Sequence, residues 1–302
     1  MRLAAIVLNF CTPDDSWLAV RSLALSRRPV DDLIVVDNDE GPGCEARMAA
    51  CGHPVRYHRT GRNLGFAGGM NVGITMARER GADLVLLVNS DAVVMPDTIG
   101  TLEQVLGRGG DADGPRRGIA APRLVARAAP DEVVSDGLRF DVRTGRLRHL
   151  LPAGGQRPAA VERVVDAVSG CVMLVHADVF AAIGLFDEPY FFSVEDLDFC
   201  LRARHAGFAS VVTSATTALH EGSKSIGSRS TRRLYYVTRN HLRLASRVAP
   251  LPAPARMARG ASIVVLNLAH AVTTHGGTMW SRVAAVLRGT RDHLWGRYGP
   301  AT

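Results

Sequence analysis

Residues 83–93 read DLVLLVNSDAV. Leu84 to Val88 is an unbroken apolar run, too short for a buried helix and without the alternation of a half-exposed strand. Such a run is a strand buried on both faces. It ends abruptly in Asn89, Ser90 and Asp91. The preceding stretch, GFAGGMNVGITMARERG (65–81), has a glycine-rich start, helical periodicity and Gly81 as its stop. A helix feeding a doubly buried strand points to a parallel sheet covered by helices.

The pattern repeats outward. RLAAIVLNF (2–10), DLIVVDND (32–39) and PVRYHR (54–59) read as strands. SWLAVRSLAL (16–25) reads as a helix, with Trp17, Val20, Leu23 and Ala24 on one face and Asp14 or Asp15 near its start. EARMAAC (45–51) is a second, short helix. Ligands of parallel sheets gather at the carboxyl ends of the strands. Asn9, Asp37, Asn38, Asn89 and Asp91 fall there. Beyond residue 95 the reading is less regular. GIAAPRLV (118–125), GLRFDV (137–142), RVVDAVSGCVMLV (163–175) and ASVVTSA (209–215) are strand-like, separated by loops at 107–118, 152–160 and 220–230. From about Arg229 the chain reads as helical, split by the proline-rich APLPAPAR (249–256).

Composition narrows the class. The chain has 302 residues, 47% of them apolar, enough for a full core. The net charge is +7, which favours acidic partners. Lys224 is the only lysine among 36 basic residues. That usage reflects coding bias, and no basic patch with interleaved stacking aromatics is present, so a nucleic-acid binder is not expected. Five cysteines without a C-x-x-C support neither a disulfide framework nor a zinc site. No signal peptide or spanning segment is legible, so a reducing, cytoplasmic location is expected.

Four stretches carry candidate chemistry, and each also has a structural reading. FDEPYFFSVEDLDFCLR (186–202) packs five carboxylates among apolar residues. Ser193 with Asp196 can cap a helix, and Asp198 can pair with Arg202 one turn on. A carboxylate at the mouth of an apolar segment can equally have the raised pKa of a general base. Asn89 and Asp91 can turn the chain or hold a divalent cation. GRNLGFAGGMNVG (61–73) can pack a helix on the sheet or let backbone approach a ligand, but it lacks the dinucleotide and P-loop fingerprints. Asp37 can close a turn or bind a ribose hydroxyl or a base.

In their order these pieces are specific. IVLNF, VVDND, NLGFAGGMNVG, LLVNSDAV, SGCVMLV, GLFDEPYFFSVEDLDFCLRARHAG and the later His220, over roughly residues 3–225, resemble glycosyltransferase family 2. The nearest likeness is the branch with rhamnosyltransferase-like and galactofuranosyltransferase-like proteins. The resemblance implies an α/β GT-A fold, a Rossmann-like, mostly parallel central sheet flanked by helices, with a helical C-terminal extension. It implies a catalytic domain over 1–228, divided near residue 95 into nucleotide and acceptor halves, then a helical region over 229–302. It implies inverting transfer of a sugar (rhamnose, another deoxysugar or a furanose) from a dTDP- or UDP-linked donor to a hydroxyl of a glycan, glycolipid or natural product.

The same resemblance gives Asp196 the role of catalytic base. Asp91, His220 and Asn89 would bind Mg²⁺ or Mn²⁺. Phe10, Asp37, Asn63, Gly65, Asn71 and Ser90 would shape the nucleotide pocket, and Ser169, Gly170 and Glu195 would border donor sugar and acceptor. Asn89 stands where the family has the first Asp of D-x-D, and Cys11 where it has Asn. A sugar-nucleotide nucleotidyltransferase is the competing enzyme class, but LNFCTPDDSW (8–17) has neither glycine nor lysine before the first helix. A non-catalytic nucleotide-sugar-binding protein is the other alternative. In the tail, Arg232, Arg233, Arg239, Arg243 and Arg247 form a basic amphipathic helix. It either lies peripherally on an anionic membrane or packs on the catalytic domain or a second copy in a homodimer.

Overall fold

The computed structural model describes residues 1–41, 43–108, 114–151, 161–222, 230–273 and 277–301. The first half alternates strictly: β1 (Leu3–Asn9), α1 (Pro13–Ala24), β2 (Asp32–Asp37), α2 (Gly43–Ala49), β3 (Arg56–Arg59), α3 (Gly65–Glu79) and β4 (Leu84–Asn89). Then follow β5 (Ala92–Val94), α4 (Thr98–Gly107), β6 (Arg116–Ala126), β7 (Val133–Ser135), β8 (Leu138–Phe140), β9 (Leu147–His149), β10 (Glu162–Val165), β11 (Val172–His176), α5 (Ala177–Ile183), α6 (Glu195–His205) and β12 (Phe208–His220). Three helices close the chain: α7 (Thr231–Val248), α8 (Ala253–Thr273) and α9 (Met279–Leu294). The loop expected over 152–160 lies outside the described residues, as do residues 109–113 of the loop at 107–118, residues 223–229 of the loop at 220–230, and the boundary at 228.

The main sheet runs β10-β12-β6-β11-β4-β1-β2-β3. Strands β3, β2, β1 and β4 are parallel, as the periodicity requires. Beyond β4 the directions mix: β11 is antiparallel to β4 and β6, while β6 and β12 are parallel. The expected strand at 163–175 is two strands, β10 and β11, which lie in different parts of the sheet. The order reverses at β1, which has β2 on one side and β4 on the other. This switch point opens a crevice at the carboxyl ends of β1 and β4, the usual ligand position of such sheets.

Both faces of the sheet are covered. Ile6, Leu8, Val36 and Leu87 pack with Met70, Ile74 and Phe199 on one side. Ala5, Val7, Leu86 and Val88 pack with Val20, Leu23, Ile99 and Leu102 on the other. Successive strand residues alternate between these layers, which is why the runs are apolar throughout. Among the described residues no helix is long and apolar enough to cross a membrane.

Helix α7 turns several of its arginines inward. Arg239 is 1% exposed and donates to the carbonyls of Gly299 (2.7 Å) and Tyr190 (3.1 Å). Arg243 donates to Asp187 at 2.7 Å, and Arg247 shares the same oxygen. These charges hold the tail against the 186–193 turn.

Candidate active site

Two cavities adjoin in the crevice. The first is lined by Phe10, Thr12, Asn38, Asn63, Gly65, Ser90, Asp91, Phe191 and Arg232, among others. The second is lined by His149, Ser169, Gly170, Cys171, Glu195, Asp196, His220, Arg233 and His270, among others. Phe66, Asn89 and Phe192 border both.

The first cavity has a rigid floor. Asn38 Nδ2 donates to Asn63 Oδ1 (3.2 Å) and the Gly65 carbonyl (3.0 Å), and its Oδ1 accepts the Leu64 N–H (2.9 Å). Gly65 has φ +75°, and a Cβ there would stand 2.3 Å from the Phe191 carbonyl. Only glycine lets the start of α3 close on residue 191, where Phe66 N–H donates to that same carbonyl at 2.6 Å. Ser90 accepts from Thr12 Oγ1 at 2.8 Å.

Two residues expected in the nucleotide pocket lie behind its wall. Asp37 is fully buried, and its carboxylate accepts from Asn9 Nδ2 (2.7 Å) and the Tyr57 hydroxyl. Asn71 clamps α3 to the acidic stretch, exchanging hydrogen bonds with the Phe186 backbone at 2.9 and 3.0 Å and donating to Glu188 at 3.2 Å.

At the border of the cavities the expected metal ligands come together. His220 Nε2 stands 3.4 Å from Asp91 Oδ1. That nitrogen and Asn89 Oδ1 are buried without a hydrogen-bond partner. Burial opposes charge on His220, but Cys171 and Asp91 outweigh it and push the imidazole up to about 10. An imidazole nitrogen, an amide oxygen and a carboxylate can each offer a lone pair to a divalent cation, which would displace the imidazole's proton. Among the described residues no group of three His, Cys, Asp or Glu side chains could hold a metal alone. Ligand oxygens would have to complete the shell.

The second cavity holds the acidic turn. Ser193 is not the cap of α6. Val194 occupies that position at φ +75°, with Phe191 at +62° and Ser193 at +69°. Left-handed backbone in bulky residues persists only where the surroundings impose it. Helix α7 imposes it here. Asn240 Nδ2 donates to the carbonyls of Tyr190 (2.9 Å), Phe192 (2.7 Å) and Ser193 (2.8 Å), and Tyr236 stacks on Phe191 with ring centroids 5.5 Å apart.

This turn aims two carboxylates into the cavity. Asp196 accepts from Gly170 N–H (3.0 Å) and Leu197 N–H (2.8 Å). Burial raises its pKa above the usual range, and those two N–H groups oppose the rise. A side chain on Gly170 would press on Asp196 and Phe66 at 3.3 Å. Glu195 is 5% exposed, and among the described residues its Oε2 has no hydrogen-bond partner. Burial first, then the neighbouring Asp196 charge, push its pKa well up. Burial pulls Arg233 below the usual guanidinium range, while Asp196 and Glu195 pull it back. Asp198 pairs with Arg202 at 2.8 Å as expected, but it is buried and also accepts from Tyr190.

Sequence reasoning missed His149, Arg233, His270 and Asn240. Each arrives from a distant element, and none lies in a motif. The excess of polar residues on the buried face of α7 was the one available signal.

Residues 19–245 match the family described as glycosyltransferase like family 2. The low-salt glycan biosynthesis hexosyltransferase of Haloferax volcanii is 26% identical over 222 residues, 72% of this chain and 66% of that protein. The N-acetylglucosaminyl-diphospho-decaprenol L-rhamnosyltransferase of Mycobacterium tuberculosis is 29% identical over 234 residues, 70% of this chain and 73% of its own. The fold matches a mannosyltransferase of Pyrobaculum calidifontis solved with GDP-Man and Mn²⁺ (TM-score 0.58, 14% identity, 98% of this chain, 88% of that one). It also matches GalNAc-T7 solved with UDP, GalNAc and Mn²⁺ (TM-score 0.60, 10% identity, 87% and 54%). The architecture is the GT-A fold.

Proposed function

The chain belongs to glycosyltransferase like family 2, and on that premise we propose that it transfers a sugar from a nucleoside diphosphate to an acceptor hydroxyl with inversion. One observation carries the reading. The cavity ending at Asp91 adjoins the cavity holding Asp196, and both share Phe66, Asn89 and Phe192. That arrangement suits a donor lying in the first cavity with its anomeric carbon presented to the second.

Asp196 takes the proton of the acceptor hydroxyl as its oxygen attacks the anomeric carbon. The bond from that carbon to the diphosphate oxygen breaks on the opposite side, and the nucleoside diphosphate leaves. The N–H groups of Gly170 and Leu197 fix the base in orientation. Burial favours the protonated form of Glu195, which would donate a hydrogen bond to a sugar hydroxyl. Asp91, Asn89 and His220 would hold Mg²⁺ or Mn²⁺. When bound, the cation supplies positive charge against the diphosphate. Asn63 and Gly65 support the nucleotide side through the Asn38 network.

The hexosyltransferase and L-rhamnosyltransferase relatives support a hexose or rhamnose as the sugar moved; we propose a dTDP- or UDP-linked donor and an acceptor on a glycan, glycolipid or natural product. All five cysteines are free, which fits a reducing compartment. A donor screen by thermal shift with Mg²⁺ or Mn²⁺ tests the reading, because a true donor raises Tm by linkage. NMR of the product then gives the anomeric configuration. Retention of configuration, or no stabilisation by any nucleotide sugar, would overturn the proposal.

A further inference from the structure

The hairpin β8–β9 separates the catalytic cavity from a second, basic groove. Leu138, Leu147 and His149 face the cavity. Arg139 and Arg148 line the groove on the other side, with Arg143 and Arg146 from the connecting turn. Arg139 and Arg148 are direct cross-strand partners. Their Cβ atoms are therefore about 5 Å apart, and like charges at that spacing are destabilising.

Among the described residues, two acids, Asp141 and Asp166, line the groove against five arginines, these four and Arg204, so its charge is only partly offset. Among the described residues none of these four arginines is in an ion pair. The two acids that line the groove are occupied. Asp166 takes Arg204 at 2.6 Å and the Phe140 N–H at 2.9 Å. Asp141 accepts the N–H groups of Arg143 (2.9 Å) and Thr144 (3.1 Å) within its own turn. The turn is held in place from behind: Arg259 donates to the Val142 carbonyl at 2.7 Å, and His241 bonds the Gly145 carbonyl at 2.6 Å. The backbone that carries these arginines is fixed, and their exposed guanidiniums, outside any ion pair among the described residues, are available to phosphate oxygens. Val142 and Val164, 39% and 58% exposed, lie in the same groove. A free ion has no use for apolar neighbours, whereas a phospholipid does.

We infer that this groove seats the phosphate headgroups of an anionic membrane, with Arg139 and Arg148 as its principal contacts. The inference does not depend on the glycosyl-transfer reading, because it uses none of the catalytic residues. The test is flotation of the full chain with phosphatidylcholine vesicles and with vesicles containing phosphatidylglycerol. Wild type binds the anionic vesicles only and is released by salt. Arg139→Gln/Arg148→Gln lowers that binding tenfold or more while donor-induced thermal stabilisation stays unchanged. Arg27→Gln/Arg78→Gln, which removes the same charge from exposed positions elsewhere, binds as wild type. Equal loss in both double variants would reduce the effect to diffuse charge and overturn the site. No vesicle binding by wild type would overturn it as well. So would a thermal shift by inorganic phosphate that needs Arg139 and Arg148 in a protein that ignores vesicles, since the ligand would then be a free anion.

Discussion

The two sides of the crevice treat their buried polar groups in opposite ways. On the β1–β2 side the strand-end residues that border the crevice are answered from within. Asp37 is taken by Asn9 and Tyr57, and Asn38 by Asn63, Leu64 and Gly65. On the β4–α6 side Asn89 Oδ1, His220 Nε2 and Glu195 Oε2 are buried and, among the described residues, have no hydrogen-bond partner. The backbone there is also held in left-handed conformations at Phe191, Ser193 and Val194. Unsatisfied buried groups cost stability, so their concentration beside one cavity marks where ligand groups complete the structure. On the proposed function, one side is scaffold and the other is machinery.

The largest effect that can break this comparison is at Asp91. Asp91→Ala is expected to lower kcat/KM roughly 10²–10³-fold, the scale for losing one charge-stabilising group, with little change in Tm. Steady-state kinetics with and without chelator check it. Full wild-type activity in excess chelator would remove the cation from the account.

Next is Gly65. Gly65→Ala puts a methyl against the Phe191 carbonyl at a positive φ, and should destabilise by about 2–3 kcal/mol in denaturant unfolding. Asp37→Ala follows. It strands Asn9 and Tyr57, so a loss of about 1–3 kcal/mol in stability is expected. An unchanged Tm with lost donor binding would instead make Asp37 a direct ligand and erase the contrast.

The smallest effect has a diagnostic sign. The pKa of Glu195 is raised in the fold. The folded state therefore holds its proton more tightly than the unfolded chain. Its stabilising share is full below the ordinary glutamate range and fades as pH rises toward the raised value. Gln cannot ionise, so Glu195→Gln should gain Tm relative to wild type as pH increases. A Tm difference independent of pH would mean that Glu195 is already ionised and partnered.

The scaffold was the more legible side. Apolar runs such as LVLLV (84–88) can only be doubly buried strands, so the parallel half of the sheet and its strand-end polar loops follow from periodicity. The resemblance also brought Asp91, Asn89 and His220 together before any geometry was known. What escaped depends on long-range packing. Ser193 has the composition of a helix cap, but Asn240 pulls the carbonyls of residues 190, 192 and 193 onto α7 and moves the cap to Val194. For the α7 arginines the pattern left membrane contact and packing on the catalytic domain both open, and only the contacts of Arg243 with Asp187 and of Arg239 with the Tyr190 carbonyl show that these two turn inward. β9, LRH (147–149), is three residues long and has no strand signal of its own; only pairing with β8 defines it.

The central claim is that Asp196 is the base of the transfer and not merely the start of a helix. Single-turnover transfer by Asp196→Asn, alongside donor binding by calorimetry, tests it most directly. Asn keeps the shape and its one oxygen can still accept from Gly170 N–H, though it gives up the bond from Leu197 N–H, so the account predicts a native fold of slightly lower Tm, donor affinity close to wild type, and a rate reduced by about 10³-fold or more. Near-wild-type turnover in that variant would contradict it.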